Sequence, residues 1–206
     1  MDSQVALVDY GAGNLHSVEN ALRAVGAHVA VTHNPEAIAK ADRIVLPGVG
    51  SFRSCAEGLR SIDGMIEALE QRVRGDSVPF LGVCVGMQLL ATRGLEHGET
   101  PGLDWIAGEV RAIEPPNPSI KVPHMGWNDV VPNNGSTYPI EAGEAYFLHS
   151  YAYHPVDPSH VAATTGHGGK IVAAVAKDNV LGVQFHPEKS QKYGLELLRG
   201  FLAWSP

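Results

Sequence analysis

The sequence predicts an α/β fold, with a central, mostly parallel sheet flanked by helices and antiparallel additions in the second half of the chain. Three observations carry that expectation. Up to Gly94, short apolar runs alternate with segments of helical spacing, the rhythm of strand–helix–strand units with a parallel sheet. Several of those runs end in glycine-bearing or polar motifs. Beyond Gly94 the strand-like segments follow one another through turn-rich joins without helices between them, the pattern of antiparallel pairing.

In chain order, the first strand is Val5 to Val8, ending in Asp9-Tyr10-Gly11-Ala12-Gly13-Asn14. Leu15, Val18, Leu22 and Val25 then recur close to helical spacing. His28 to Thr32 reads as a second strand, Pro35 to Lys40 as a short helix, and Arg43 to Leu46 as a third strand running into Pro47-Gly48-Val49-Gly50. Ser51 is placed to cap a helical stretch that reaches Arg74, broken near Asp63-Gly64. The fourth strand carries Cys84, and Gly86 followed by Met87-Gln88-Leu89-Leu90-Ala91 reads as a helix start. Further strands are expected at Trp105 to Ile113, Lys121 to Val131, Ala145 to Tyr153, His160 to Thr165, Lys170 to Ala176 and Val180 to Phe185. Their joins include Pro115-Pro116-Asn117-Pro118 and Asn133-Asn134-Gly135, and a last helix covers Gln191 to Trp204.

The 206 residues, 44% of them hydrophobic, fit one globular domain spanning 1–206. A net charge of −7 without a basic run argues against a nucleic-acid surface. No apolar stretch approaches the ~20 residues of a membrane span. Met1-Asp2-Ser3-Gln4 lacks the features of an export signal, so a cytoplasmic location is expected. Cys55 and Cys84 are the two cysteines, and such a chain does not need them paired. The ten histidines are scattered, and no Cys-x-x-Cys or His-x-x-x-His cluster suggests zinc, so neither metal nor cofactor is expected.

The chemistry concentrates in two segments. Gly82-Val83-Cys84-Val85-Gly86 follows the pattern of a nucleophile elbow, with cysteine as nucleophile between two glycines. A residue on so tight a strand-to-helix turn needs neighbours without side chains. The turn also sets the cysteine at a helix N-terminus, where free N–H groups favour a thiolate and can hold an oxyanion. A lone free cysteine is usually a core residue. That reading loses weight beside the second segment, Gly182-Val183-Gln184-Phe185-His186-Pro187-Glu188. His186 supplies a base at a strand end, Pro187 stiffens the link, and Glu188 can orient the imidazole. Ligands gather at the C-terminal ends of parallel strands. Asp9-Tyr10-Gly11, Pro47 to Gly50, Cys84 and His186 all fall at such ends.

These motifs resemble the class I glutamine amidotransferases, and more closely the glutaminase subunits of imidazole glycerol phosphate synthases. The resemblance rests on Asp9 to Leu15, on Leu46 to Phe52 and on the elbow. It rests equally on Lys121-Val122-Pro123-His124-Met125-Gly126-Trp127-Asn128, on Tyr146-Phe147-Leu148-His149-Ser150-Tyr151 and on Gly182 through Gln191. It spans the whole chain and implies a single class I glutamine amidotransferase-like domain. Arg93 to Thr100 and Pro132 to Glu144 look individual to this chain.

With the resemblance, the chemistry becomes specific. Cys84 attacks the side-chain amide of glutamine, His186 moves the proton and Glu188 orients His186. Backbone N–H groups of Val85 and of Val49 or Gly50 hold the oxyanion, in a glycine-bearing strand able to flip a peptide. Gln88, one helical turn beyond Cys84, faces the pocket and binds glutamine, as do Ser150 and Tyr151 by resemblance. Ammonia would be lost in water, so a synthase partner is expected; the resemblance implies that it is a cyclase subunit of (βα)₈-barrel fold, forming a heterodimer, with Asn14, Trp127 and Lys189 facing it. The competing readings are the glutaminase of another synthase, a non-catalytic scaffold, or a cysteine hydrolase with another substrate.

Overall fold

The computed structural model describes residues 4–133 and 137–206. The turn expected at Asn133-Asn134-Gly135 therefore lies largely outside the described residues, as does the segment Met1 to Ser3. The strands are β1 (Gln4–Val8), β2 (His28–Thr32), β3 (Arg43–Leu46), β4 (Phe80–Val83), β5 (Arg93–Gly94), β6 (Thr100–Pro101) and β7 (Gly108–Ala112). They continue with β8 (His124–Pro132), β9 (Gly143–His149), β10 (Tyr151–Pro155), β11 (Val161–Gly166), β12 (Lys170–Lys177) and β13 (Val180–Val183). The helices are α1 (Leu15–Ala24), α2 (Pro35–Ile38), α3 (Phe52–Arg60), α4 (Met65–Leu69), α5 (Val85–Gln88) and α6 (Gln191–Ala203). A π-helical turn, Glu70–Gly75, extends α4, and a 3₁₀ turn, Pro187–Lys189, precedes α6.

Nine strands form one sheet in the order β2-β1-β3-β4-β13-β12-β11-β8-β9, and β10-β7-β5-β6 form a second. From β2 to β13 all pairings are parallel; from β13 to β9 all are antiparallel. The two halves differ in burial. β4 and β13 are buried at every position and β3 at all but its first, as parallel strands covered on both faces should be. The β8 strand instead mixes buried and exposed residues, as befits the open flank of the sheet.

Capping follows the sequence locally. The Ser51 side chain accepts from the Ser54 N–H and starts α3, and Asn34 accepts from Glu36 and starts α2. Expected and observed bounds coincide at His28–Thr32 and Arg43–Leu46. The segment expected as one strand from Ala145 to Tyr153 is two. The chain leaves the large sheet after His149, bends at Ser150 and joins the small sheet at Tyr151. Competing partners cause the break: His149 pairs with His124, while Tyr151 pairs with Ala112 and the Ser150 carbonyl accepts from Ile113. The helix after Cys84 is a single turn ending at Gln88.

Candidate active site

Strand register brings the two chemical segments together. Gly82 pairs with Gly182 and Val83 with Val183, so β4 and β13 end level. The Cys84 N–H donates to the Val183 carbonyl at 2.8 Å. Cys84 then turns the chain with φ 55° and ψ −111° and caps α5. Such a backbone is costly for a residue with a side chain, and it persists where packing over-determines it. The packing is tight: a Cβ on Gly82 would lie 2.6 Å from the Gly86 carbonyl oxygen.

His186 and Glu188 lie beyond β13. The His186 N–H donates to the Tyr146 carbonyl at 2.9 Å, and the Ser190 hydroxyl closes the loop by donating to the His186 carbonyl at 2.6 Å. The His186 Nδ1 and Glu188 Oε1 are 2.8 Å apart, with side chains 3% and 2% exposed. Burial alone would lower the His186 pKa. Hydrogen bonds to Cys84 and Glu188 outweigh it and hold the ring up at about 10. The ring is thus held by the carboxylate on Nδ1, with Cys84 near enough to favour its charged form.

A cavity of about 300 Å³ opens beside the sulfur, the low end of the range for small-molecule sites. Nine residues singled out from the sequence line it: Val49, Gly50, Cys84, Val85, Gln88, Ser150, Tyr151, His186 and Lys189. Glu188 stands behind His186. Asn14 is exposed at the start of α1, where its side chain does not cap. Trp127 is 48% exposed on β8, edge-on to Tyr146, and the Lys189 ammonium lies over the same Tyr146 ring at 5.9 Å.

Two of the expected groups are engaged within the protein in this conformation. The Val85 N–H is not free to hold an oxyanion in this conformation, because it donates to the Gly48 carbonyl at 3.3 Å. The neighbouring carbonyls are held too: Pro47 by the Tyr10 hydroxyl at 2.6 Å, and Val49 by the Cys55 thiol at 3.4 Å. Gln88 borders the cavity, but its amide N–H₂ is spent on the protein. It donates to the Tyr151 carbonyl at 3.3 Å and to Gln184 Oε1 at 3.0 Å.

The residues missed from the sequence are Tyr10, Cys55, Gln184 and a buried histidine pair. Gln184 had one signal, a polar residue inside an apolar strand end; Tyr10 had its place in a strand-end motif but nothing to show the role of its hydroxyl, and Cys55 had none. Asn128 Nδ2 donates to the Gly166 carbonyl at 2.7 Å and also contacts His124 Nε2 at 2.9 Å. Because an amide nitrogen only donates, that His124 nitrogen accepts. The His124 Nδ1–H then donates to His149 Nε2 at 2.9 Å, and the His149 Nδ1–H to the Tyr151 carbonyl at 2.8 Å. Burial pushes both rings down to about 4. This neutral chain props the 149–151 wall of the cavity. No group of three or more metal-ligating side chains and no helix long and apolar enough to cross a membrane occurs among the described residues.

The family profile described as "Glutamine amidotransferase class-I" matches residues 6–203. "Imidazole glycerol phosphate synthase subunit HisH" of Zymomonas mobilis is 57% identical, covering 99% of this chain and 97% of that one. Its namesake from Caulobacter vibrioides is 54% identical, covering 98% and 99%. Among solved structures, a glutamine amidotransferase crystal structure superposes with a TM-score of 0.75 at 20% identity, covering 96% of this chain and 97% of its own. PurLQS from Thermotoga maritima does so with 0.71 at 18%, covering 98% and 99%. These two likenesses bear on the fold. The chain belongs to the class I glutamine amidotransferase family, in the group of imidazole glycerol phosphate synthase HisH subunits.

Proposed function

We propose that the chain is the glutamine-hydrolysing subunit of an imidazole glycerol phosphate synthase, acting through Cys84, His186 and Glu188 within a single domain spanning 1–206. One observation carries the reading. A histidine hydrogen-bonded to a buried glutamate stands beside a cysteine at the strand ends, at a cavity of amino-acid size.

The reaction runs in two halves. The Cys84 thiolate adds to the side-chain amide carbon of glutamine, giving a tetrahedral oxyanion. As the intermediate collapses, the C–N bond breaks and the His186 imidazolium protonates the leaving nitrogen, which departs as ammonia. Water, losing its proton to His186, then adds to the thioester, and the C–S bond breaks to release glutamate and the thiolate. Glu188 keeps His186 oriented and stabilises its charged form.

The oxyanion needs donors, and here the Gly48 carbonyl occupies the Val85 N–H. A turn of the Gly48–Val49 peptide would free Val85 and bring the Val49 N–H toward the sulfur, next to Gly50. The arrangement described above is thus the resting one, and oxyanion stabilisation waits on that turn. Gln88, Ser150 and Tyr151 are the groups in reach of the amino-acid end of glutamine, Gln88 through its carbonyl.

Ammonia set free in water is protonated, so its use calls for a partner at the cavity mouth. The reading takes that partner to be a (βα)₈-barrel cyclase, in a cytoplasmic heterodimer that makes imidazole glycerol phosphate and an aminoimidazole carboxamide ribotide. Exposed Trp127 and Met125 on β8 and the Lys189–Tyr146 contact support a docking face there, with Asn14 on α1.

The test is glutamate release from glutamine by this chain, alone and with the cyclase and its nucleotide ligand. Strong stimulation by the cyclase, abolished by Cys84→Ala, is the expected result. No release in any mixture with the chain folded would overturn the assignment. Lys189→Glu should weaken the complex; unchanged affinity and stimulation would remove Lys189 from the interface.

A further inference from the structure

Gln184 is wholly buried where β13 ends, one residue beyond the Val83–Val183 pair that brings it alongside Cys84. Its amide nitrogen lies 3.7 Å from the Cys84 sulfur. The orientation of this amide is settled by its neighbours. The Tyr151 carbonyl can only accept, so the Gln88 end that reaches it is the N–H₂. That same N–H₂ donates to Gln184, so the Gln184 end facing Gln88 is its oxygen. The opposite end, aimed at the sulfur, is therefore the Gln184 N–H₂.

We propose that Gln184 is a catalytic residue of this centre, donating from its amide to the Cys84 sulfur and favouring the thiolate over the thiol. The inference rests on Cys84 being the nucleophile of the reaction proposed above. A neutral thiol is a weak acceptor, whereas a thiolate receives a charge-assisted hydrogen bond. An amide closed off from water, with its oxygen already engaged, thus stabilises the sulfur chiefly in its charged form. Gln184 sets a donor on the sulfur beside His186, and Gln88 orients that donor. The other titratable groups felt at the sulfur are Tyr10 and Cys55. Burial pushes the Cys55 thiol up to about 11, so it stays neutral through the working range.

The experiment is alkylation of the full chain by iodoacetamide between pH 5 and 10, with modification of the Cys84 peptide followed by mass spectrometry. Gln184→Met keeps the length and removes the donor; Gln184→Glu keeps the shape and sets a carboxylate against the sulfur. The Met variant should react about tenfold more slowly at pH 7, its profile displaced upward by about one pH unit, and the Glu variant more slowly still. A merely structural role would lower the melting temperature and leave the profile in place. Profiles of both variants superimposing on an activated parent would overturn the proposal. A parent no more reactive than N-acetylcysteine would instead overturn the nucleophile reading beneath it. Where circular dichroism shows a Gln184 variant unfolded, Gln88→Met decides. It removes the group that orients Gln184 and should slow alkylation about threefold, and an unchanged rate would sink the idea.

Discussion

The buried pair His124 and His149 gives the chain a measurable weakness to acid. Both rings sit near 4 in the folded state, from burial first and from neighbouring histidines second; at His149 the Tyr151 carbonyl opposes that shift. In the unfolded chain each returns to about 6.5. Because the folded values are the lower ones, stability is complete above about pH 6.5 and is lost as the pH falls toward 4. At pH 5 an unfolded histidine is almost fully protonated while its folded counterpart stays neutral. From pH 7 to pH 5 that difference costs about 2 kcal/mol per histidine, or about 4 kcal/mol for the pair. Folding free energies are typically about 5–15 kcal/mol, so the loss is a large fraction of the whole.

Urea denaturation at pH 7 and pH 5, comparing the parent with His124→Gln/His149→Gln, isolates the effect. Glutamine can accept from Asn128 and donate along the same chain, yet takes up no proton. Other titrating groups are common to both proteins and cancel in the comparison. The parent should lose about 4 kcal/mol more than the double variant over the interval, and each single variant should remove about half of that excess. Parallel losses in parent and double variant would refute the reasoning. The 149–151 wall would then not depend on a neutral histidine pair.

Three further outcomes follow from the site. Glu188→Gln removes the charge 2.8 Å from His186 and should cut glutamate release in the complex by about 10²-fold or more; an NMR titration should find the His186 ring below its parent value of about 10. Because His186 is raised on folding, its stabilisation is full below about pH 6.5 and is lost as pH rises toward 10; Cys84→Ala should flatten that alkaline decline in thermal melts. Gly48→Ala would set a Cβ 2.7 Å from the Gly86 nitrogen and 2.8 Å from the Tyr10 hydroxyl; displacing the elbow by even part of an ångström should cost about 10²-fold in glutaminase rate, read as glutamate release with the fold checked by circular dichroism.

Residues whose local chemistry decides their place were legible in the sequence. β3 is nearly buried throughout and packs between parallel neighbours, so its apolar run shows its limits directly. Cys84, His186 and Glu188 were readable because glycine and proline punctuate the strand ends that carry them. What escaped was set by distant partners. Ser150 breaks a strand because two sheets compete for its neighbours, and nothing in Tyr146 to Tyr153 announces it. The two-residue strands β5 and β6 exist only as pairs. The hold of Gly48 on Val85 is a choice between backbone orientations that one composition permits, so no motif could reveal it.

Why the nucleophile and its base meet so closely follows from one rung of the sheet. Gly82 and Gly182 lie side by side across β4 and β13, and together they form a slot with no side chain on either wall. The elbow folds down into that slot. A Cβ on Gly82 would meet the Met87 nitrogen at 2.8 Å, and one on Gly182 would meet the Met87 side chain at 2.8 Å. A one-residue slip between the strands would turn every side chain to the other face and take one glycine out of the slot. The register that buries the apolar core is therefore the register that seats α5, and α5 fixes the level of the Cys84 sulfur against Gln184 and His186. A side chain at either glycine would lift the helix and with it the Cys84 sulfur.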